Sequence, residues 1–402
     1  MHRAWKDMAA MAAAGALSIT MVLSGCASPA NQAATGGSAK PAVAPVKIGA
    51  ILSLTGSYAG LGAPEKRAIE LEVKRINDAG GVGGAPIEVV VEDDATDAQK
   101  AVAAATKLIE KDRVVAIIGA TGTGGTMAIR NEASRAGVPI VSMAGGSVIT
   151  DTFDANTFQT PWPNRVVVAF TLKYLKANGI TRIALLSDSS GYGKDGHDVT
   201  VKQAAAAGVA IVADETFNPG DTDMTAQLTK IKAAGPQAVW LWNAGKEAAT
   251  AAKNLRQIDP SATIRLVGAP GNGRMEFITG AGDAAEGFTF AAGKILLPAT
   301  YGAGTEEYKV ATSFVDRFKT AYGVAPDIFA GHAYDALTIV VEALKKAGPG
   351  ADGAKLRTAI EGTKGLIGIG GTFTYSPTDH NGLSEKDLVV YRVSKGTWEL
   401  AK

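Results

Sequence analysis

The stretch VVAIIGATGTGGTMAIRNEASRAGVPIVSM, residues 114–143, decides the fold. VVAIIGA (114–120) is a continuous apolar run, the pattern of a strand buried on both faces. A glycine-dense turn follows, the spacing predicts a helix over 124–136, and VPIVSM (138–143) reads as the next strand. Strand, helix, strand in that order is one unit of a parallel sheet. The unit repeats in both directions. Upstream lie strand VKIGAILS (46–53), an amphipathic helix over 62–78 closed by Gly80 and Gly81, strand PIEVVVED (86–93) and a helix over 97–111. Downstream of PWPNR (161–165), a helix to Lys176 leads to strands RIALLSD (182–188), VAIVADETF (209–217), AVWLWN (238–243) and IRLVGA (264–269). Helices near 194–207, 222–234 and 246–257 separate them.

Two successive sets of alternating strands and helices predict an α/β protein of two doubly wound parallel-sheet lobes. Residues 304–322, 328–347 and 352–361 read as helices, and GGTFTYS (370–376) and DLVVYRVSKGTWEL (387–400) as strands. These complete the lobes already begun, so the chain crosses between them more than once and forms a multi-strand hinge. The expected division is 46–164 with 293–371 for the first lobe and 165–292 with 372–402 for the second.

Ahead of the fold lies MVLSGCASPA (21–30), with the only cysteine of the 402 residues at Cys26. A lone thiol forms no internal disulfide. Residues 1–7 carry Arg3 and Lys6, residues 8–22 are apolar and Ala-rich, and Leu23-Ser24-Gly25 precede the cysteine. The pattern resembles a lipoprotein signal peptide over 1–25 that makes Cys26 the lipidated first residue; an ordinary signal peptide with an incidental cysteine is the alternative. Residues 26–45 are small and polar with Pro and Gly, and read as a flexible tether. The protein would then sit on the periplasmic or cell-surface side, held to the membrane by acyl chains alone.

Losing 1–25 removes Arg3, Lys6 and Asp7, so the 40 cations and 39 anions become 38 of each. A net charge of zero argues against a nucleic-acid surface. Apolar residues at 46 % with 20 % charged describe a well-packed globule.

IIGATGTGGT (117–126) aims free N–H groups and a helix dipole at one point, with hydroxyls from Thr121, Thr123 and Thr126. It reads as an anion site suited to a carboxylate, or else as a turn that only lets strand and helix pack. No Lys-Ser/Thr pair follows the glycines, so it is no Walker loop, and the glycine spacing is wrong for a dinucleotide. SMAGGSVIT (142–150) ends the next strand and offers Ser142, Ser147 and the N–H groups of Ala144 to Gly146. LSLTGSYAGLG (52–62) adds Tyr58. Tyr192, Trp242, Trp162 and Phe329 are aromatic candidates for the ligand's body, against the alternative of ordinary packing. Trp240 and Trp242 share a strand face, which would make Trp242 the rim member of a packed stripe. Catalytic chemistry is poorly supplied: three histidines follow the leader, with no nucleophile elbow and no metal-ligand spacing. His332 and Asp335 are three apart on one helix, more simply a hydrogen-bonded histidine than a metal pair. No enzyme activity, cofactor or metal is expected.

VKIGAILSLTGSYAGLG, INDAGGVGGAPIEVVVEDDATDAQKAV, AIIGATGTGGT, AGVPIVSMAG, SDSSGYGKDG and FAGHAYDAL occur in order along 46–402. Together they resemble the branched-chain amino-acid type of periplasmic binding protein. The resemblance implies a type I binding fold with three crossings, a monomeric solute receptor, and a partner permease and ATPase of an ABC importer. A sensor subunit of the same fold is the alternative. It also implies that Thr123 holds a ligand carboxylate, and that the threonine expected after the fourth strand falls near Gly146, with Ser147 beside it. The acid that would grip a ligand ammonium belongs in VGAPGNG, where this chain has Ala269 and Pro270. An unpaired buried ammonium is costly. The expected ligand is therefore a small carboxylate, an amino acid or, in better accord with the residues, an aromatic or aliphatic acid lacking the amine. Were it an amino acid, Asp335 or Glu247 would have to face the cleft.

Overall fold

The computed structural model describes residues 44–401. The first sheet is built from β1 (Val46–Leu52), β2 (Ile87–Asp93), β3 (Ile117–Gly119), β4 (Ile140–Ser142) and β5 (Thr157–Gln159). Between them run α1 (Ala59–Asp78), α2 (Ala98–Lys107), α3 (Thr123–Ala136) and the short α4 (Val148–Asp151). Then come α5 (Asn164–Ala177), β6 (Arg182–Asp188), α6 (Gly191–Ala204), β7 (Ala210–Phe217), α7 (Thr225–Ala233), β8 (Ala238–Trp242), α8 (Glu247–Ile258), β9 (Arg265–Gly268), α9 (Met275–Ala281) and β10 (Thr289–Ala292). The chain closes with α10 (Glu306–Tyr322), α11 (Ile328–Ala347), α12 (Gly353–Glu361), the two-residue strands β11 (Leu366–Ile367) and β12 (Thr372–Phe373), and the hairpin β13 (Val389–Ser394) and β14 (Thr397–Leu400).

The first sheet has the order β2-β1-β3-β4-β5 and is parallel throughout. The second has the order β14-β13-β10-β9-β8-β6-β7. Its strands β6 to β10 are parallel, while β13 and β14 join as antiparallel edge strands. DLVVYRVSKGTWEL is thus two strands, reversed at Lys395-Gly396, where both residues take positive φ (54° and 71°). GGTFTYS shrinks to β12, paired only with β11. That pair brackets residues 371 and 372, where the sequence reading divides the lobes, and joins neither of the two main sheets. β5 and β10 fall outside the sequence expectation, being too short to show a period.

Chain order and spatial order reverse beside β1 in the first sheet and beside β6 in the second. In doubly wound sheets the crevice at such a switch point, outside the carboxyl ends of the strands, receives ligands. The loops after β1 and β3 therefore belong to one crevice wall, and those after β6 and β8 to the other. The core supports both. β8 is buried along its whole length, with Trp240 and Trp242 inaccessible. Helix α11 is buried nearly all round and packs on α1. At the end of β1 the backbones close up: a Cβ on Gly62 would stand 2.2 Å from the Ser53 carbonyl oxygen.

Candidate ligand-binding site

The two crevice walls enclose a cavity with an empty volume of about 460 Å³, its open side included. The first sheet contributes Tyr58, Leu61, Thr121 to Thr123, and Met143 to Gly145. Tyr192 after β6, Ala244 after β8 and Pro270-Gly271 after β9 face them. Pro161 and Trp162 enter from the first crossing, and Ile328, Phe329 and His332 from α11. Seven of the eleven ligand-contact residues expected from sequence line this space: Tyr58, Thr121, Thr123, Ala144, Trp162, Tyr192 and Phe329.

Four do not, and each has a structural reason. The Ser142 hydroxyl is fully buried, bonded to Thr126 Oγ1 at 2.8 Å. Gly146 lies behind Thr123, and its N–H donates to Thr123 Oγ1 at 3.2 Å. Ser147 is committed on both sides: its N–H donates to Asp195 Oδ2 and its Oγ accepts from the Arg165 N–H. Trp242 shares a face with Trp240, as the period predicts, and the rings stack with centroids 5.3 Å apart. That face turns beneath α6, where Trp242 meets Tyr192 edge-on at 6.0 Å. Trp242 is therefore the backing of Tyr192 and no rim residue.

The polar groups divide into committed and available. The Thr121 hydroxyl accepts from the Ser53 N–H at 3.0 Å and donates to Glu65, so it braces the loop from below. Burial pushes the Glu65 carboxyl well above its ordinary range, against the Thr121 hydrogen bond that draws it down. The Ala144 N–H is taken by Ser142 Oγ, whereas the Gly145 N–H has no partner among the described residues. Thr123 Oγ1 accepts from Gly146, and its own proton has no acceptor among the described residues. Thr123 also opens α3, whose first-turn N–H groups lack intrahelical acceptors. Two loops thus converge on one set of donors. Asp93 and Asp94 hold the neighbouring loop after β1: Asp93 accepts from the Leu54 N–H and the Thr55 hydroxyl, Asp94 from the Ser53 hydroxyl.

Tyr58 closes the cavity across the two walls, its hydroxyl donating to Ser190 Oγ at 3.0 Å. Arg274 reaches from the second wall over the Phe329 ring at 6.0 Å, but it lies outside the lining and donates to the Ala244 carbonyl. The lining contains no Asp, Glu, Lys or Arg. Asp335 accepts the N–H groups of Ile369 and Gly370, and Glu247 those of Gly220 and the Asn243 amide, so neither acid faces the cavity. The orientation of Asp335 also rules out its pairing with His332. Among the described residues no cluster suits a metal ion, and no helix is long and apolar enough to cross a membrane. Cys26 and the tether up to residue 43 lie outside the described residues.

A sequence model of the periplasmic binding protein family matches residues 45–397. A Leu/Ile/Val-binding protein homologue of Brucella melitensis is 28 % identical over 351 residues, covering 86 % of this chain and 91 % of its own. An extracellular ligand-binding receptor of Rhodopseudomonas palustris superposes with a TM-score of 0.83 at 27 % identity, over 89 % of this chain and 99 % of the other. A branched-chain amino acid transporter substrate-binding protein of Streptococcus pneumoniae, in complex with isoleucine, gives 0.77 at 27 % identity over 89 % and 99 %. A solute-binding protein of an ABC transporter of Rhodopseudomonas palustris, in complex with 3,4-dihydroxybenzoic acid, gives 0.77 at 25 % identity over 89 % and 96 %. With two facing switch points around one uncharged cavity and a match along almost the whole described chain, this protein belongs to the periplasmic binding protein family, in its branched-chain amino-acid type, a family of extracytoplasmic substrate-binding proteins and not of enzymes.

Proposed function

We propose that the protein is the lipid-anchored solute receptor of an ABC importer and captures a small carboxylic acid with an apolar or aromatic body and no ammonium group. The observation that carries this reading is the composition of the lining. Donors from Thr123, Gly145 and the start of α3 gather at one place, while the remaining wall is aromatic and aliphatic without an acid. Overall likeness does not discriminate, since the isoleucine and dihydroxybenzoate complexes superpose equally well, each at 0.77. An amino acid would leave its ammonium unpaired in this cavity, at a cost of several kcal/mol. A simple acid has no such penalty and gains area against Tyr58, Tyr192, Trp162 and Phe329.

The test is calorimetry on refolded, ligand-stripped protein. Benzoate should bind more tightly than leucine, and Thr123→Val should weaken benzoate about tenfold by deleting a donor while keeping the shape. Tight leucine binding without measurable benzoate binding would overturn the reading. In this proposal the lobes close on the ligand and present the closed shape to a permease and its ATPase. The anchor is Cys26, so Cys26→Ser should abolish palmitate incorporation in cells; labelling that persists would remove the anchor from the proposal.

A further inference from the structure

Two buried polar atoms in the cavity wall take no part in holding a carboxylate at Thr123. The indole Nε1 of Trp162 and Nδ1 of His332 are both buried without a hydrogen-bond partner. Both residues line the cavity, and they enter it from the first crossing and from α11, elements separate from the Thr123 loop. Their rings stand edge to face with centroids 5.9 Å apart, so the two residues form one corner of the lining. The backbone locks this corner, since Thr160 Oγ1 donates to the His332 carbonyl at 3.3 Å. Buried donors and acceptors in folded proteins are nearly always satisfied, and an orphan in a ligand cavity points to a group the ligand brings. Burial alone pushes His332 down to about 3, and no charged neighbour acts on it. The imidazole is therefore neutral, with one nitrogen to donate and one to accept. A second carboxylate would have to bring a proton to this corner, whereas a hydroxyl can accept from the indole N–H and donate to the imidazole as it stands.

We propose that Trp162 and His332 form a second polar terminus of the cavity, which selects acids that carry a neutral hydroxyl on the ring in addition to the carboxylate. This rests on the carboxylic-acid reading above and adds the substituent pattern of the substrate. The probes are benzoate, 3-hydroxybenzoate and 4-hydroxybenzoate, titrated into ligand-stripped wild-type protein. At least one hydroxybenzoate should bind about tenfold tighter than benzoate, the gain of a hydrogen bond to groups otherwise left unpaired. In His332→Phe and in Trp162→Phe that ratio should fall toward one, whatever happens to the absolute affinities. A ratio of one or less for both isomers in the wild type, a comparison that needs no variant to fold, overturns the proposal: a trapped water would then serve the corner. A ratio preserved in both variants overturns it as well. If benzoate and both hydroxybenzoates fail to bind while leucine binds, the carboxylic-acid reading itself falls, a different result from either.

Discussion

Closure of the lobes can be tested at a residue that touches no ligand. Gly191 opens α6 in the second lobe and faces the start of α3 in the first. A methyl group on it would stand 2.9 Å from the Gly124 nitrogen and 3.2 Å from its Cα. Both are backbone atoms, so no flexible side chain can give way. Gly191 is absent from the cavity wall and does not have the positive φ that would bar alanine. With the lobes apart, Gly191→Ala should be harmless or stabilising, by about 0.5 kcal/mol through the lost freedom of the unfolded chain. With the lobes together, the overpacked contact should cost about 1–3 kcal/mol. Affinity should then drop roughly 5- to 150-fold at about 1.4 kcal/mol per factor of ten. Calorimetry with an acid that binds the wild type measures the loss, and unfolding without ligand measures the stability. X-ray scattering should show the wild type contracting with ligand and the variant contracting less. Affinity within twofold of wild type, with full contraction, would refute the reasoning, because the contact between α3 and α6 would then not belong to the liganded state.

Two further outcomes follow from the core. Trp242→Ala should destabilise the protein by about 3–5 kcal/mol, since it empties a fully buried site beneath Tyr192 and beside Trp240, and a small shift of the urea midpoint would contradict that packing role. Burial pushes Asp335 up to about 7, and Asp188 and Asp327 to about 6, so between pH 4 and 7 the folded chain holds protons that an unfolded carboxyl near 4 has released. Stability should therefore fall as pH rises through that window, by up to about 1.4 kcal/mol per unit from Asp335, and Asp335→Asn should flatten the fall; urea unfolding at pH 5 and pH 8 reads both.

The long elements were legible because length lets a period show. β1, β6 and α11 each carry seven or more residues of unbroken signal. β5 and β10 have three and four residues, no more than two repeats of the strand period, and they take shape only from pairing with β4 and with β9 and β13. The hairpin of β13 and β14 ran together as one strand because both arms are apolar on alternate positions and Lys395 conceals the turn. Tertiary pairing, invisible to local pattern, supplied the missing boundaries.

For the site, sequence order carried further than side-chain type. Placing the loops after β1 and β3 on one edge needed only the alternation of strands and helices, and Tyr192 followed from the same rule on the other sheet. Trp242 failed that reasoning because period two states which residues share a face but not which face meets the crevice. Ala244, Pro270, Gly271 and Ile328 have no chemistry to mark them, and His332 reads as an ordinary helical histidine until its Nδ1 is found buried without a partner. The missing acid at 269–270 was a statement about one stretch, and the structure extends it to the surroundings. Asp94 is held by Ser53 and Thr96, Asp188 by Ser190, and Asp327 by the Ala330 N–H at the start of α11. Glu65 is bonded to Thr121, Glu247 to Gly220, and Asp335 to Ile369 and Gly370. Each of these carboxyls holds a loop or a helix end, and none of them lines the cavity. The same contacts that shape the cavity therefore also keep these carboxyls out of its wall, as the proposed acid without an ammonium requires.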